Sequence, residues 1–287
     1  MRHRTTDSAA ASLVDVGGFR LSIRTAGSGG PPVVCVSALG CAHDIWADAA
    51  ALLAETTTVI TYGRPGLGGS DRLPAEESAV PRDGRWVAEQ LRTLLRAADV
   101  APPYVLSSGS IGAFVIDRFA AAWPDEVAGL VLHDPTRPRP HRGVANPNGS
   151  STSPDGDLPD VDGGGGLIFS GELVRSFLTV APPENRDGRF VVLSSAVGRW
   201  VRDVDPQDWH RPLTLADIDV QWQEMQREWA QRLHAVHLIA DTAGHHIYLE
   251  EPQLTAAVVG AVVDAARQNR PVDLDDATLG EVGASRA

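Results

Sequence analysis

Two stretches of this 287-residue chain carry side chains whose types and spacing could do chemistry, one around Ser110 and one around His245. Residues 104 to 113 read Tyr-Val-Leu-Ser-Ser-Gly-Ser-Ile-Gly-Ala, an apolar run that breaks into small residues and then resumes at helical spacing. That pattern predicts a strand, a sharp turn and a helix with Ser110 at the apex. A serine on such a turn is accessible only if the residues two positions away lack bulk, and here they are Ser108 and Gly112. The helix that follows, with Ala113, Val115, Ile116, Phe119 and Ala120, would aim its first amides back at the turn, where negative charge on an oxygen would be stabilised. Ser110 is therefore a candidate nucleophile, although a small-residue turn after a strand is by itself more often structural.

A serine hydroxyl attacks a carbonyl only when a base of near-neutral pKa removes its proton. His237-Leu-Ile-Ala240 reads as a short buried strand, Asp241-Thr-Ala-Gly244 as the loop leaving it, and His245 follows directly. An isolated histidine is more often a surface or capping residue. Its place within Gly-His-His-Ile-Tyr-Leu-Glu-Glu-Pro, just before a helical pattern from Gln253, makes His245 the candidate base. His246 is expected to face elsewhere.

Further segments lie in a matching order. Pro31 to Trp46 is a strand followed by a loop, Tyr62-Gly-Arg-Pro-Gly-Leu-Gly-Gly-Ser70 is a glycine-rich turn, and Val127 to Pro135 is another core strand. Together with the serine turn and Gly244-His245 they resemble the α/β-hydrolase fold superfamily of lipases, esterases and dehalogenases, over roughly residues 13 to 268. The chain departs from the superfamily pattern at Ser37-Ala38 in place of His-Gly, at Gly63 in place of aspartate, and at Ser108 in place of the first glycine of Gly-x-Ser-x-Gly.

The resemblance implies a mostly parallel central sheet flanked by helices, a Ser-acid-His triad and an oxyanion hole made by the backbone N–H groups of Leu39 and Ile111. It leaves two aspartates for the acid. Asp134 ends the sixth-strand segment Leu130-Val-Leu-His-Asp, the place used in some haloalkane dehalogenases, whereas Asp203 lies ten residues beyond the seventh strand, Phe190 to Leu193. Asp134 is the preferred candidate and Asp203 the alternative. His133 is expected to be a packed core histidine. A serine at the turn argues against dehalogenation, which in the resembling enzymes needs a carboxylate nucleophile.

Composition removes other chemistries. The 25 basic residues include no lysine, so a Schiff base or a P-loop lysine is impossible. A net charge of −12 and an acidic pI near 5.1 disfavour nucleic acid or an anionic membrane as partner. Cys35 and Cys41 form no zinc pattern and suggest no disulfide framework. The run Asp155, Asp157, Asp160, Asp162 lacks the glycine and glutamate register of a calcium loop, so no metal and no cofactor are expected.

These candidates need a scaffold. Short apolar runs at Val33 to Val36, Val59 to Tyr62, Tyr104 to Leu106, Leu130 to Leu132, Phe190 to Leu193 and Val236 to Ile239 suit parallel strands buried on both faces. Trp86 to Arg96 reads as a crossover helix, and Leu13 to Ile23 as an opening hairpin. Leu215 to Leu233 carries Ile218, Trp222, Met225, Trp229 and Leu233 at helical spacing, a stripe expected to pack in the core, with lining of a pocket as the alternative.

The chain is predicted to form one domain over 13–268, with loose tails at 1–12 and 269–287 and an irregular cap insertion at about 136–188, containing one helix from Leu173 to Val180. No run approaches signal-peptide or membrane-span length, so a cytoplasmic location is expected. The expected function is that of a serine hydrolase acting on a carboxylic ester, lactone or thioester of a small apolar molecule. A lyase or cyclase of specialised metabolism and a catalytically silent ligand-binding module are the alternatives.

Overall fold

In the computed structural model, residues 10–78, 82, 84–136, 160–162, 167–169, 181–185, 187–205 and 213–287 are described, with 160–162 and 167–169 as backbone only. Strands β1 (Ser12–Asp15), β2 (Arg20–Ala26), β3 (Val33–Val36), β4 (Val59–Tyr62), β5 (Tyr104–Gly109) and β6 (Val127–His133) precede a separate antiparallel pair, β7 (Asp160–Asp162) and β8 (Leu167–Phe169). Strands β9 (Phe190–Ser194), β10 (Val236–Ala240) and β11 (Ala284–Arg286) complete the main sheet. Its order is β1-β2-β4-β3-β5-β6-β9-β10-β11. The six strands from β4 to β10 run parallel, and β1, β2 and β11 are antiparallel additions at the two edges.

Parallel strands need crossovers, and the helical patterns supply them: α1 (Ala47–Leu53), α2 (Ala75–Ser78), α3 (Gly84–Ala97), α4 (Gly112–Ala122), α5 (Arg199–Asp203), α6 (Leu215–Leu233), α7 (Ile247–Glu250), α8 (Pro252–Arg267) and α9 (Asp276–Glu281). Alternation along each strand sends side chains to both faces. Val34, Val36, Leu130, Leu132 and Val192 pack against α3, α4 and α6, while Val33, Cys35, Val131, Val191 and Leu193 pack against α1 and α8. This double burial is why these strands read as continuous apolar runs rather than alternating ones.

The expected opening hairpin forms as β1 and β2, and each predicted core strand is present. The C-terminal stretch differs from expectation. Residues 269–287 are not a loose tail: Asp275 caps α9 by accepting from the Thr278 amide at 2.8 Å, Leu274 and Leu279 are buried, and β11 pairs with β10. The two leucines needed to anchor this segment are too few to stand out in a polar stretch. Most of the predicted cap, including the helix at 173–180 and Asp155 and Asp157, lies outside the described residues.

Candidate active site

The order β4-β3-β5 means that the chain leaves β3 toward one edge and returns beyond it, so the loops after β3 and β5 diverge at the carboxyl end of the sheet. Such a switch point opens a crevice. Ser110 stands there, directly after β5, with φ +51 in the left-handed region that non-glycine residues seldom adopt. The turn is held by backbone bonds: Ser110 N–H donates to His133 O at 3.1 Å, and its carbonyl accepts from Ala113 and Thr136 at 3.1 and 3.3 Å. Ile111 has helical dihedrals and leads into α4, so the helix begins immediately behind the serine.

Two glycines make this packing possible. A Cβ at Gly112 would sit 2.7 Å from the Val36 carbonyl, so α4 can begin against the end of β3 only with hydrogen there. A Cβ at Gly109 would sit 2.3 Å from Cε1 of Tyr248, whose ring stacks on Trp46 with centroids 3.9 Å apart. Ser108, where the resembling proteins have glycine, is wholly buried between Val36 and Leu132, and its hydroxyl has no hydrogen-bond partner among the described residues.

The loop after β3 is clamped from below. Arg64, itself buried, donates to Ser37 O at 2.7 Å and to Ala38 O at 2.6 Å, and the Ala38 backbone bonds the Tyr248 hydroxyl. Among the described residues the N–H groups of Leu39 and Ile111 have no hydrogen-bond partner. Backbone amides are rarely left so, which makes the pair available to an incoming oxygen.

His245 follows β10, in a loop tied to the β9 exit by the Ala196 amide on Ala243 O (2.9 Å) and to α7 by the Gly244 amide on Glu250 (2.7 Å). Its Nδ1 lies 2.7 Å from Asp134 Oδ2. A carboxylate only accepts, so Nδ1 carries the proton and Nε2 is the basic nitrogen. Asp134 is fully buried at the end of β6, with φ +44, and other donors also converge on it. Ser195 N–H and Oγ–H reach Oδ1 at 3.0 and 2.8 Å, Trp222 Nε1–H reaches Oδ1 at 2.8 Å, and Arg199 reaches Oδ2 at 3.3 Å. Burial pushes this carboxyl up, but Arg199, His245 and Trp222 together outweigh it and hold the pKa down at about 2.

Arg199 is itself enclosed, its guanidinium over the rings of Trp200 and Trp222 at 4.5 and 4.7 Å. Trp222 meets the His245 ring edge-on, with centroids 5.6 Å apart and planes at 80°. The apolar stripe on α6 thus divides: Ile218, Met225, Trp229 and Leu233 are core, whereas Trp222 reaches the carboxylate.

The other sequence candidates are placed as follows. Asp203 pairs with Arg202 at 2.5 Å and makes no hydrogen bond to His245. His133 is buried and bonded to Ser107 Oγ at 3.0 Å, and burial drives its pKa down to about 3 against the opposing charge of Asp134. His246 Nδ1 bonds the Tyr248 hydroxyl at 3.1 Å, and its ring lies 5.0 Å from that of His245. Ser110 Oγ bonds Thr136 Oγ1 at 2.7 Å rather than His245. Thr136, Arg199 and Trp222 were not sequence candidates, since polar or aromatic residues in loops and helices carry no mark until a fold brings them to one carboxylate. Among the described residues no cluster of His, Cys, Asp and Glu is placed to hold a metal, and no helix is long and apolar enough to cross a membrane.

Comparison with known proteins agrees with the fold. A family model described as alpha/beta hydrolase fold matches residues 31–166. The uncharacterized protein YqjL of Bacillus subtilis (strain 168) is 32% identical over 109 residues, 38% of this chain and 41% of that protein. The chain spans 41% or less of the length of the curated relatives it matches. Among solved structures, a thermophilic esterase from Thermogutta terrifontis superposes with TM-score 0.60 at 16% identity, covering 91% of this chain and 100% of that one. A membrane phospholipase A superposes with TM-score 0.59 at 19% identity, covering 91% and 87%. Sheet order, the turn at Ser110 and these matches together make the chain an α/β-hydrolase-fold protein.

Proposed function

We propose that the protein is a serine hydrolase of carboxylic esters, lactones or thioesters. The observation that carries this reading is the 2.7 Å bond between His245 Nδ1 and a carboxylate held ionised at the end of β6, in a fold whose β5 turn presents Ser110. Ser110 Oγ attacks the carbonyl while His245 Nε2 takes its proton. Asp134 fixes the tautomer and stabilises the imidazolium that results, and the Leu39 and Ile111 amides receive the oxyanion. The tetrahedral adduct collapses to an acyl-Ser110 as His245 returns the proton to the leaving group, and water repeats the sequence to free the acid.

Reaction with a fluorophosphonate followed by intact-protein mass spectrometry tests this. One adduct per chain, absent in Ser110→Ala and His245→Ala, is the expected result, and an unlabelled folded wild type would sink it. The Ser110–Thr136 bond favours one competitor, a non-hydrolytic lyase or cyclase in which Ser110 is not the nucleophile. Activity surviving in Ser110→Ala would support that competitor.

A further inference from the structure

Helix α6 presents donors to three consecutive residues leaving β6. Trp222 Nε1–H bonds Asp134 Oδ1 at 2.8 Å, Gln226 Nε2–H bonds Pro135 O at 3.0 Å, and Trp229 Nε1–H bonds Thr136 O at 2.9 Å. Spacings of four and three place these side chains on one helical face. The neighbouring face grips the β9 exit, with Gln223 on Ser195 O at 3.1 Å and Asp219 accepting from the Gly198 and Trp200 amides at 2.7 and 3.3 Å. One helix therefore sets both loops that surround the Asp134–His245 pair.

Within this arrangement Trp222 differs from the other residues that bond Asp134 Oδ1. Ser195 bonds the carboxylate and its hydroxyl accepts from Arg199 Nε at 2.8 Å, but it makes no hydrogen bond to His245. Trp222 bonds the carboxylate, packs against the His245 ring and carries the Arg199 guanidinium on its face. A carboxylate can rotate and offer either oxygen, and an imidazole can tilt about its bond to Cβ; a residue that touches both removes both freedoms. We propose that Trp222 is a positioning residue for the proposed hydrolysis: its indole N–H reserves Oδ1 so that Oδ2 faces His245 Nδ1, and its ring holds the imidazole in the plane that aims Nε2 at Ser110. This rests on the hydrolase reading for its kinetic arm alone, because the Asp134–His245 bond exists whatever reaction follows.

The test uses two substitutions that split the indole. Trp222→Phe keeps an aromatic ring and deletes the donor. Trp222→His keeps the donor, since imidazole Nε2 stands the same number of bonds from Cβ as indole Nε1, and deletes the outer ring. The readout in the free protein is the downfield proton resonance of the His245 Nδ1–H···Oδ2 bond, assigned by its loss in His245→Ala. In Trp222→Phe that resonance should shift or broaden, and kcat on an ester substrate should fall roughly tenfold to hundredfold with KM nearly unchanged, the worth of a hydrogen bond to a charged group. In Trp222→His the resonance should stay near its wild-type position. Trp229→Phe loses an indole N–H from the same helix face but not from Asp134, and should leave the resonance in place. An unmoved resonance in Trp222→Phe, or an equal displacement in Trp229→Phe, would overturn the assignment. If no ester is turned over, the hydrolase reading fails separately and the resonance still decides the role of Trp222.

Discussion

Gly109→Ala is the smallest change that reaches the whole site, because it adds one methyl group between the serine turn and the ring that supports it. The new Cβ would lie 2.3 Å from Tyr248 Cε1 and 2.5 Å from its hydroxyl oxygen. Unstrained carbon contacts are about 3.5–4.0 Å, so a gap of more than about 1 Å must open. Tyr248 cannot supply it cheaply: it is wholly buried, stacked on Trp46 at 3.9 Å and bonded to His246 and the Ala38 backbone. Overpacking of this kind costs about 1–3 kcal/mol, which in a chain of this size lowers the melting temperature by roughly 2–10 °C. Displacing Tyr248 also moves Ala38, so fluorophosphonate labelling should slow beyond what the loss of stability explains. A double-mutant cycle makes the reasoning sharp. Tyr248→Ala alone should cost about 3–5 kcal/mol, and Gly109→Ala added to it should cost almost nothing further, because the overlap is gone. Additive costs, or a Gly109→Ala variant that melts and labels like wild type, would refute the argument.

Arg64→Met leaves the Ser37 and Ala38 carbonyls without their buried donors, and should cost about 2–4 kcal/mol by denaturant unfolding and slow labelling while the circular dichroism spectrum is kept. Ser108→Ala removes a buried hydroxyl that has no partner among the described residues, and should raise stability by about 1 kcal/mol with labelling intact. Asp134 has its folded-state pKa depressed to about 2, so its contribution is present above the unfolded value near 4 and is lost as pH falls toward 2. Acid titration of stability should accordingly show a loss of about 3 kcal/mol over that window in wild type, and a clearly smaller one in Asp134→Asn.

The core of the fold was legible because parallel strands buried on both faces write themselves as uninterrupted apolar runs; α6 spans the predicted Leu215–Leu233, and β3 the predicted Val33–Val36. The serine turn could be read because its chemistry demands small neighbours at fixed offsets, and His245 because its strand and loop are contiguous in sequence. Arg199, Thr136 and Trp222 carry no such local demand. Each becomes part of the site through one non-local bond, so single-sequence periodicity assigned Trp222 to the core and left Arg199 unremarked. The α9–β11 segment escaped notice for the opposite reason: its apolar residues are few, and its order comes from pairing with β10 and the Asp275 cap.

The bond between Asp134 and His245 joins residues 111 positions apart, Trp222 reaches Asp134 across 88, and Ser195 across 61. Each of these contacts waits for a later segment to be synthesised, so a nascent chain on the ribosome can carry Ser110 and its turn long before any base is available to it. Under the proposed mechanism, the polypeptide is inert toward esters until β10 docks beside β9. Regaining an activated serine after denaturation is then a clock for the last step of assembly rather than for collapse, since loops of this length close late in folding.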